Sequence, residues 1–116
     1  MGITMSFILF VVSIIVFLPL SIINIILVIF KGGNLSKYFK ETAIDIDRFG
    51  NRNLRTLLNE TLQKNGYKFG DERETISSAL GKNKRDKTLT KTGIIICDIL
   101  DYLDENHCIK SIKEIW

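Results

Sequence analysis

The first 30 residues carry no charged side chain: all 16 Lys and Arg and all 13 Asp and Glu stand at or beyond Lys31. From Ile3 to Phe30 the chain is Ile, Val, Leu and Phe, broken only by Thr4, Met5, Ser6, Ser13, Pro19, Ser21 and Asn24. As a helix this stretch runs roughly 40 Å, against a hydrocarbon core of roughly 30 Å. The rest of a 116-residue chain is too short to wrap a rod that is apolar on every side. The segment lacks the basic start, short apolar stretch and small-residue cleavage site of a signal peptide. A retained transmembrane helix over Ile3–Phe30 is the expectation.

Pro19 removes a backbone donor and crowds the preceding turn, which predicts a kink between Val16 and Leu20. Ser21 and Asn24 stand where freed carbonyls would need donors. The alternative is a re-entrant hairpin turning at Pro19, whose two arms are each too short to cross straight. Lys31, Lys37 and Lys40 follow the helix, whereas only the α-amino group precedes it. The positive-inside bias therefore places the C-terminal part in the cytoplasm and the N-terminus outside, in a single-pass topology. Gly32-Gly33-Asn34 breaks the helix, and residues 31–46 read as a juxtamembrane linker. There Tyr38 and Phe39 sit among the lysines, a pattern suited to anionic headgroups.

Residues 47–116 predict a small all-α domain of three to four short helices. Asn51 or Asn53 caps a helix with Leu54, Leu57, Leu58 and Leu62 on one face, closing at Asn65-Gly66. Asp71 with Glu74 three residues on resembles a capping box for a helix carrying Ile76 and Leu80 and stopping at Gly81. Lys82 to Lys87 then reads as a polar loop. Lys91 to Leu103 places Ile96, Ile99, Leu100 and Leu103 at helical spacing, with Asp98, Asp101 and Glu105 on a solvated face. A last helix runs from Asn106 to Ile115, with Cys108, Ile112 and Ile115 apolar.

Candidate chemistry is sparse. Gly81-Lys82 lacks the partners of a phosphate loop, since Ile76 stands where Gly is needed and Asn83 where Ser or Thr is. Cys97 and Cys108 form no C-x-x-C pair, and a cytoplasmic setting argues against a disulfide. With His107 they make only part of a metal site. No cofactor or metal is expected. Adjacent helical positions keep His107 and Cys108 from bonding each other; Cys108 reads as a small core residue and His107 as a polar first-turn residue. Ser77 and Ser78 lack the G-x-S-x-G frame of a hydrolase nucleophile. The net charge of +3 and the absence of interleaved aromatics in the basic stretch argue against nucleic acid as a partner.

Asp71-Glu72-Arg73-Glu74-Thr75-Ile76-Ser77, the short run ending at Leu80-Gly81, and Asp104-Glu105-Asn106-His107-Cys108 together resemble small proteins of tailed phages and prophages. Those proteins carry an E-T-I-S element, a basic connection, an apolar helix and a D-x-x-H-C-like end. Their lead-in is similar to Phe49–Asn59 here, so the likeness covers roughly residues 47–112. Glu72-Arg73 departs from the usual acidic lead-in. The motif positions carried over are Glu74, Thr75, Ile76, Ser77, His107 and Cys108. Some of those proteins are membrane-anchored or encoded near lysis genes, so the resemblance implies phage origin and the bacterial inner membrane, without an activity.

Taken together, these features lead us to expect a non-enzymatic accessory protein. One transmembrane helix tethers a cytoplasmic helical domain that binds another protein, with the bilayer as first partner and homo-oligomers as a further arrangement. A holin-like membrane effector is the alternative, and a small hydrolase using Ser77, His107 and Cys108 the second.

Overall fold

The computed structural model describes residues 2–114. Six helices follow in order: α1 (Ile3–Phe30), α2 (Leu35–Asn53), α3 (Arg55–Thr61), α4 (Ile76–Arg85), α5 (Lys91–Leu103) and α6 (His107–Lys110). Among the described residues the only β pairing is one isolated bridge, Gln63 to Leu89. The chain divides into two compact units, residues 1–40 and 41–116.

In the first unit α1 has the bounds its composition predicts, and none of its residues is buried. It is long and apolar enough to cross a membrane. Pro19 lies inside one unbroken helix, so the hairpin alternative does not form: a proline deletes one hydrogen bond, and the remaining ladder carries the helix through. Ser13 donates its hydroxyl to the Leu9 carbonyl at 2.7 Å, which removes one polar group from the apolar surroundings. The stop is a Schellman turn. Gly32 adopts φ +70°, Gly33 N–H donates to Val28 O at 2.9 Å, and Gly32 N–H donates to Ile29 O at 3.1 Å. Asn34 then accepts the Lys37 N–H on its side chain, which starts α2 at Leu35. The expected linker over 31–46 is therefore helical from Leu35, because stop and restart need only the four residues Lys31 to Asn34.

The second unit is built around α4, whose residues Ser77 to Asn83 are all buried. Its core is small: Leu58, Leu62, Phe69, Ala79, Leu80, Cys97 and Cys108, with Tyr67, Ile76, Leu89, Ile96 and Leu100 packed against it. Three predicted boundaries shift. Thr75, not Asp71, caps α4 by accepting the Ser78 N–H. Glu74 is fully buried instead of closing a capping box. The helix continues through Gly81 to Arg85, so the expected polar loop at Lys82 is its last turn.

Gly81 marks a close approach, not a stop. A Cβ there would overlap the Cys108 carbonyl of α6, and one at Gly93 would meet the Leu62 carbonyl. The inward edge of α5 is accordingly Gly93, Ile96, Cys97 and Leu100, whereas the expected core residues Ile99 and Leu103 are exposed. The last helix is also shorter than predicted. Asn106 with φ +56° precedes a single turn, His107–Lys110, and Ile115 lies outside the described residues.

Residues 62–75 have no helix of their own, and three asparagines supply the missing backbone partners. Asn51 donates to Asp71 O and Glu74 O, both at 3.0 Å, and accepts from Gly70 N–H. Asn59 exchanges two bonds with the backbone of Phe69. Asn83 does the same with Tyr67 and also donates to Ala79 O. A side-chain amide offers the same donor and acceptor as a peptide group, so each of these residues substitutes for a strand neighbour.

Candidate functional site

The polar residues of the domain converge on α4. On one side Glu74 and Lys82 form an ion pair at 2.6 Å, with side chains 0% and 2% exposed. Glu74 also accepts from Tyr67 OH at 2.7 Å and Ser78 Oγ–H at 2.6 Å, and Lys82 donates to Tyr67 OH at 3.2 Å. The Lys82 ammonium also lies 4.3 Å from the Tyr67 ring centre. Burial pushes the Lys82 pKa down, but the Glu74 and Tyr67 contacts outweigh it and the net shift is upward, so the lysine stays charged. Burial and the neighbouring Glu74 carboxylate raise Tyr67, which stays a neutral donor. This cluster is closed: every charge has its partner within it.

At the start of α4, Ser77 meets His107 and Asp47. His107 Nε2 lies 3.1 Å from Ser77 Oγ, and its Nδ1 lies 2.9 Å from Asp104 Oδ2. The order serine, imidazole, carboxylate is that of a hydrolase triad. The surroundings are not. Ser77 Oγ–H also has Asp47 Oδ2 at 3.1 Å, and Asp47 Oδ1 accepts the Ile76 N–H at 2.8 Å. A carboxylate thus occupies the helix start where an oxyanion forming on a Ser77 adduct would need donors. Cys108 takes no part. The arrangement joins α2, α4 and α6 through one serine.

The cysteines require a correction. Cys97 and Cys108 are joined as a disulfide, with Cα atoms 6.1 Å apart, where compartment reasoning predicts two thiols. The tight turn at Asp104–Asn106 folds α6 back on α5 and brings the two sulfurs into the same buried spot. Joined sulfurs are not thiolate ligands for a metal. Cys108 is otherwise the fully buried small residue expected.

The acidic face of α5 is only partly solvated. Asp101 accepts from Lys84 Nζ at 2.6 Å and from Cys108 N–H at 3.0 Å, bonding α5 to both α4 and α6. Those two contacts, the lysine first, lower its pKa. The His107 and Lys110 contacts lower Asp104. The Arg73 guanidinium, then its backbone N–H, take Asp71 from the ordinary 3.8 to about 2. Depressed carboxylates contribute stability that is complete above their unfolded value and is lost as pH falls through the folded one. Thermal melts should therefore be flat down to about pH 4 and drop between there and about pH 2. Asp101→Asn should lower the neutral-pH melting point and shrink that drop; an unchanged acid limb would show that these contacts do not act.

The predicted positions separate into three groups. Ile3, Pro19 and Phe30 lie in α1, Lys31 and Lys40 are exposed, and Lys37 is near the start of α2. Glu74, Thr75, Ile76, Ser77, His107 and Cys108 do come together, at the N-terminal half of α4 and its contact with α6. Asp104, quoted in the D-x-x-H-C-like end, joins them, and Tyr67, Lys82 and Asp47 complete the networks without a signal in the sequence reading. Tyr67 and Lys82 lie on either side of the helix expected from Asp71 to Gly81, so their distances to Glu74 signal nothing.

The most exposed apolar surface of the second unit's later helices is left uncovered. It lies on the outer side of α5, where Ile95, Ile99, Tyr102 and Leu103 are exposed, Tyr102 to 90%, with Ile94 beside them and Asp98 among them; Ile46, Phe49 and Leu57 of α2 and α3 are exposed as well. Comparison with family models, curated proteins and solved structures returned no match for this chain.

Proposed function

We propose that this chain is a membrane-anchored accessory protein of phage origin, whose single span tethers a small helical domain that docks one protein partner through α5. The observation that carries the reading is the outer face of α5. Ile95, Ile99 and Tyr102 fall at i, i+4 and i+7, and with Ile94 they make an apolar strip with Asp98 set into it. The complementary partner is an apolar groove carrying a Lys or Arg opposite Asp98. A second copy of the same face fits badly, because it would set Asp98 against Asp98. The Asp47 carboxylate beside Ser77 weighs against the hydrolase alternative. The large polar domain weighs against a holin, which needs little beyond its spans.

For orientation, Lys31, Lys37 and Lys40 support a cytoplasmic domain, and the phage resemblance implies the bacterial inner membrane. The Cys97–Cys108 disulfide points the other way, since cellular reductants keep cytoplasmic cysteines as thiols.

The test is made on the full chain in bacterial membranes. A photo-crosslinking residue at Ile99 or Tyr102 should give one discrete adduct, in protein that resists carbonate extraction. Asp98→Lys should remove the adduct without releasing the protein. An adduct at twice the chain mass would replace the partner by a self-association. Soluble protein, an adduct indifferent to Asp98→Lys, or collapse of the membrane potential on expression would each overturn the proposal.

A further inference from the structure

Away from α5, a surface depression of about 200 Å³ is lined by Ile44 and Arg48 of α2, Arg73 and Thr75 before α4, and Ser111 and Lys113 after α6. Three cations and two hydroxyls converge there, and among the described residues no carboxylate lines it, the Asp71 carboxylate reaching only Arg73. The Arg48 Nε is buried and has no acceptor. A buried donor without an acceptor costs free energy, which Arg48 would recover by turning its guanidinium onto an anion bound in the depression.

Its neighbours are set for one. Asp71 holds Arg73 through two bonds at 3.0 and 2.7 Å from Nε and one terminal nitrogen, which fixes the guanidinium and leaves its other N–H groups to reach outward. Thr75 Oγ1 is occupied as an acceptor by the Ser78 N–H at 3.0 Å, so its hydrogen is available to donate. The Lys113 N–H donates to Ser78 Oγ at 2.8 Å, and this pins the tail carrying both Ser111 and the lysine. Guanidinium forks pair bidentately with phosphate oxygens, and hydroxyls donating from outside the fork plane suit the remaining tetrahedral oxygens of a phosphoryl group.

We infer that this depression is a phosphoryl-binding site, formed by Arg48, Arg73, Thr75, Ser111 and Lys113. The phosphoryl group comes either from an anionic phospholipid head or from a soluble phosphate. Ile44 supplies an apolar wall that either source can meet. The site is independent of the α5 face, and its failure would leave the proposed docking untouched.

The experiment uses the full chain in nanodiscs, read by thermal unfolding of the domain. In phosphatidylcholine discs, inorganic phosphate should raise the melting temperature saturably by roughly 5 °C or more over sodium chloride of equal ionic strength. If the source is a lipid head, phosphatidylglycerol discs should give that increase alone, and added phosphate should then add nothing. Arg48→Gln should weaken the apparent affinity at least about tenfold, in keeping with the loss of a charge-assisted bond. Lys113→Gln, on the exposed tail, serves the same purpose should Arg48→Gln lower the basal melting point. Stabilisation by neither source, or an equal response in wild type and both variants, would overturn the site.

Discussion

Glu74→Ala and Lys82→Ala should each bring the domain to the edge of unfolding. The pair is sealed from solvent at 2.6 Å, and removing one member leaves the other charged and buried. That costs about 3–5 kcal/mol, whereas a domain this small has roughly 5 kcal/mol to lose. The ratio of folded to unfolded domain should fall by roughly two to four powers of ten, read by amide exchange in the full chain in detergent, where α1 is indifferent to the change. The loss should come from the stranded charge and not from the missing contact. A quadruple variant, Tyr67→Phe, Glu74→Leu, Ser78→Ala and Lys82→Met, removes the whole network and should recover most of the stability. The Lys113 N–H that Ser78 accepts lies on an exposed tail where water replaces the serine. Single variants as stable as the wild type would show that the ion pair is not sealed in solution.

Gly81→Ala should destabilise the domain, against the ordinary sign for a helix interior. In an open position alanine gains about 1 kcal/mol over glycine. At Gly81 the new methyl would enter the Cys108 carbonyl, and backbone does not yield as a side-chain tip does. Overpacking of that kind costs about 1–3 kcal/mol and often more, so the net effect should be a loss of about 1 kcal/mol or more. α6 would move first, and the His107 ring signals should shift as its bond to Ser77 opens. Gly50→Ala is the control. Its Cβ would meet only the Ile76 Cδ1 at 3.2 Å, a flexible end, and the variant should be neutral or slightly stabilised. If both variants behave alike, the α4–α6 contact is looser than described.

These two sites also show where sequence reading reaches its limit. The span and its glycine stop were legible because an uncharged run and a Gly-Gly-Asn break leave one physical solution. Lys91–Leu103 was legible from its spacing, although spacing alone put Ile99 and Leu103 inside. What placed them outside was Gly93, which lets α5 press on the Leu62 carbonyl and turns Cys97 inward. Lys82 and Asn83 were read as loop because polar residues beside a glycine ordinarily are. They are buried because Glu74, eight residues away, supplies a counter-charge for one, and an irregular segment needing backbone partners supplies them for the other. The motif around Glu74, Ser77 and His107 was found as a pattern of letters. Its meaning depended on Asp47, which lies outside the motif and cannot be linked to it without the fold.

The joining of Cys97 to Cys108 has a consequence for how this protein's history can be read. Both sulfurs are shut away from solvent, so exchange with passing thiols requires the domain to open. Their oxidation state at the moment of lysis is therefore inherited from the place where the chain folded. Acid-quenched cells treated with an alkylating reagent after unfolding would show two modified cysteines, or none. That result makes the pair a chemical record of the side of the membrane on which the domain matured, written without any fusion partner.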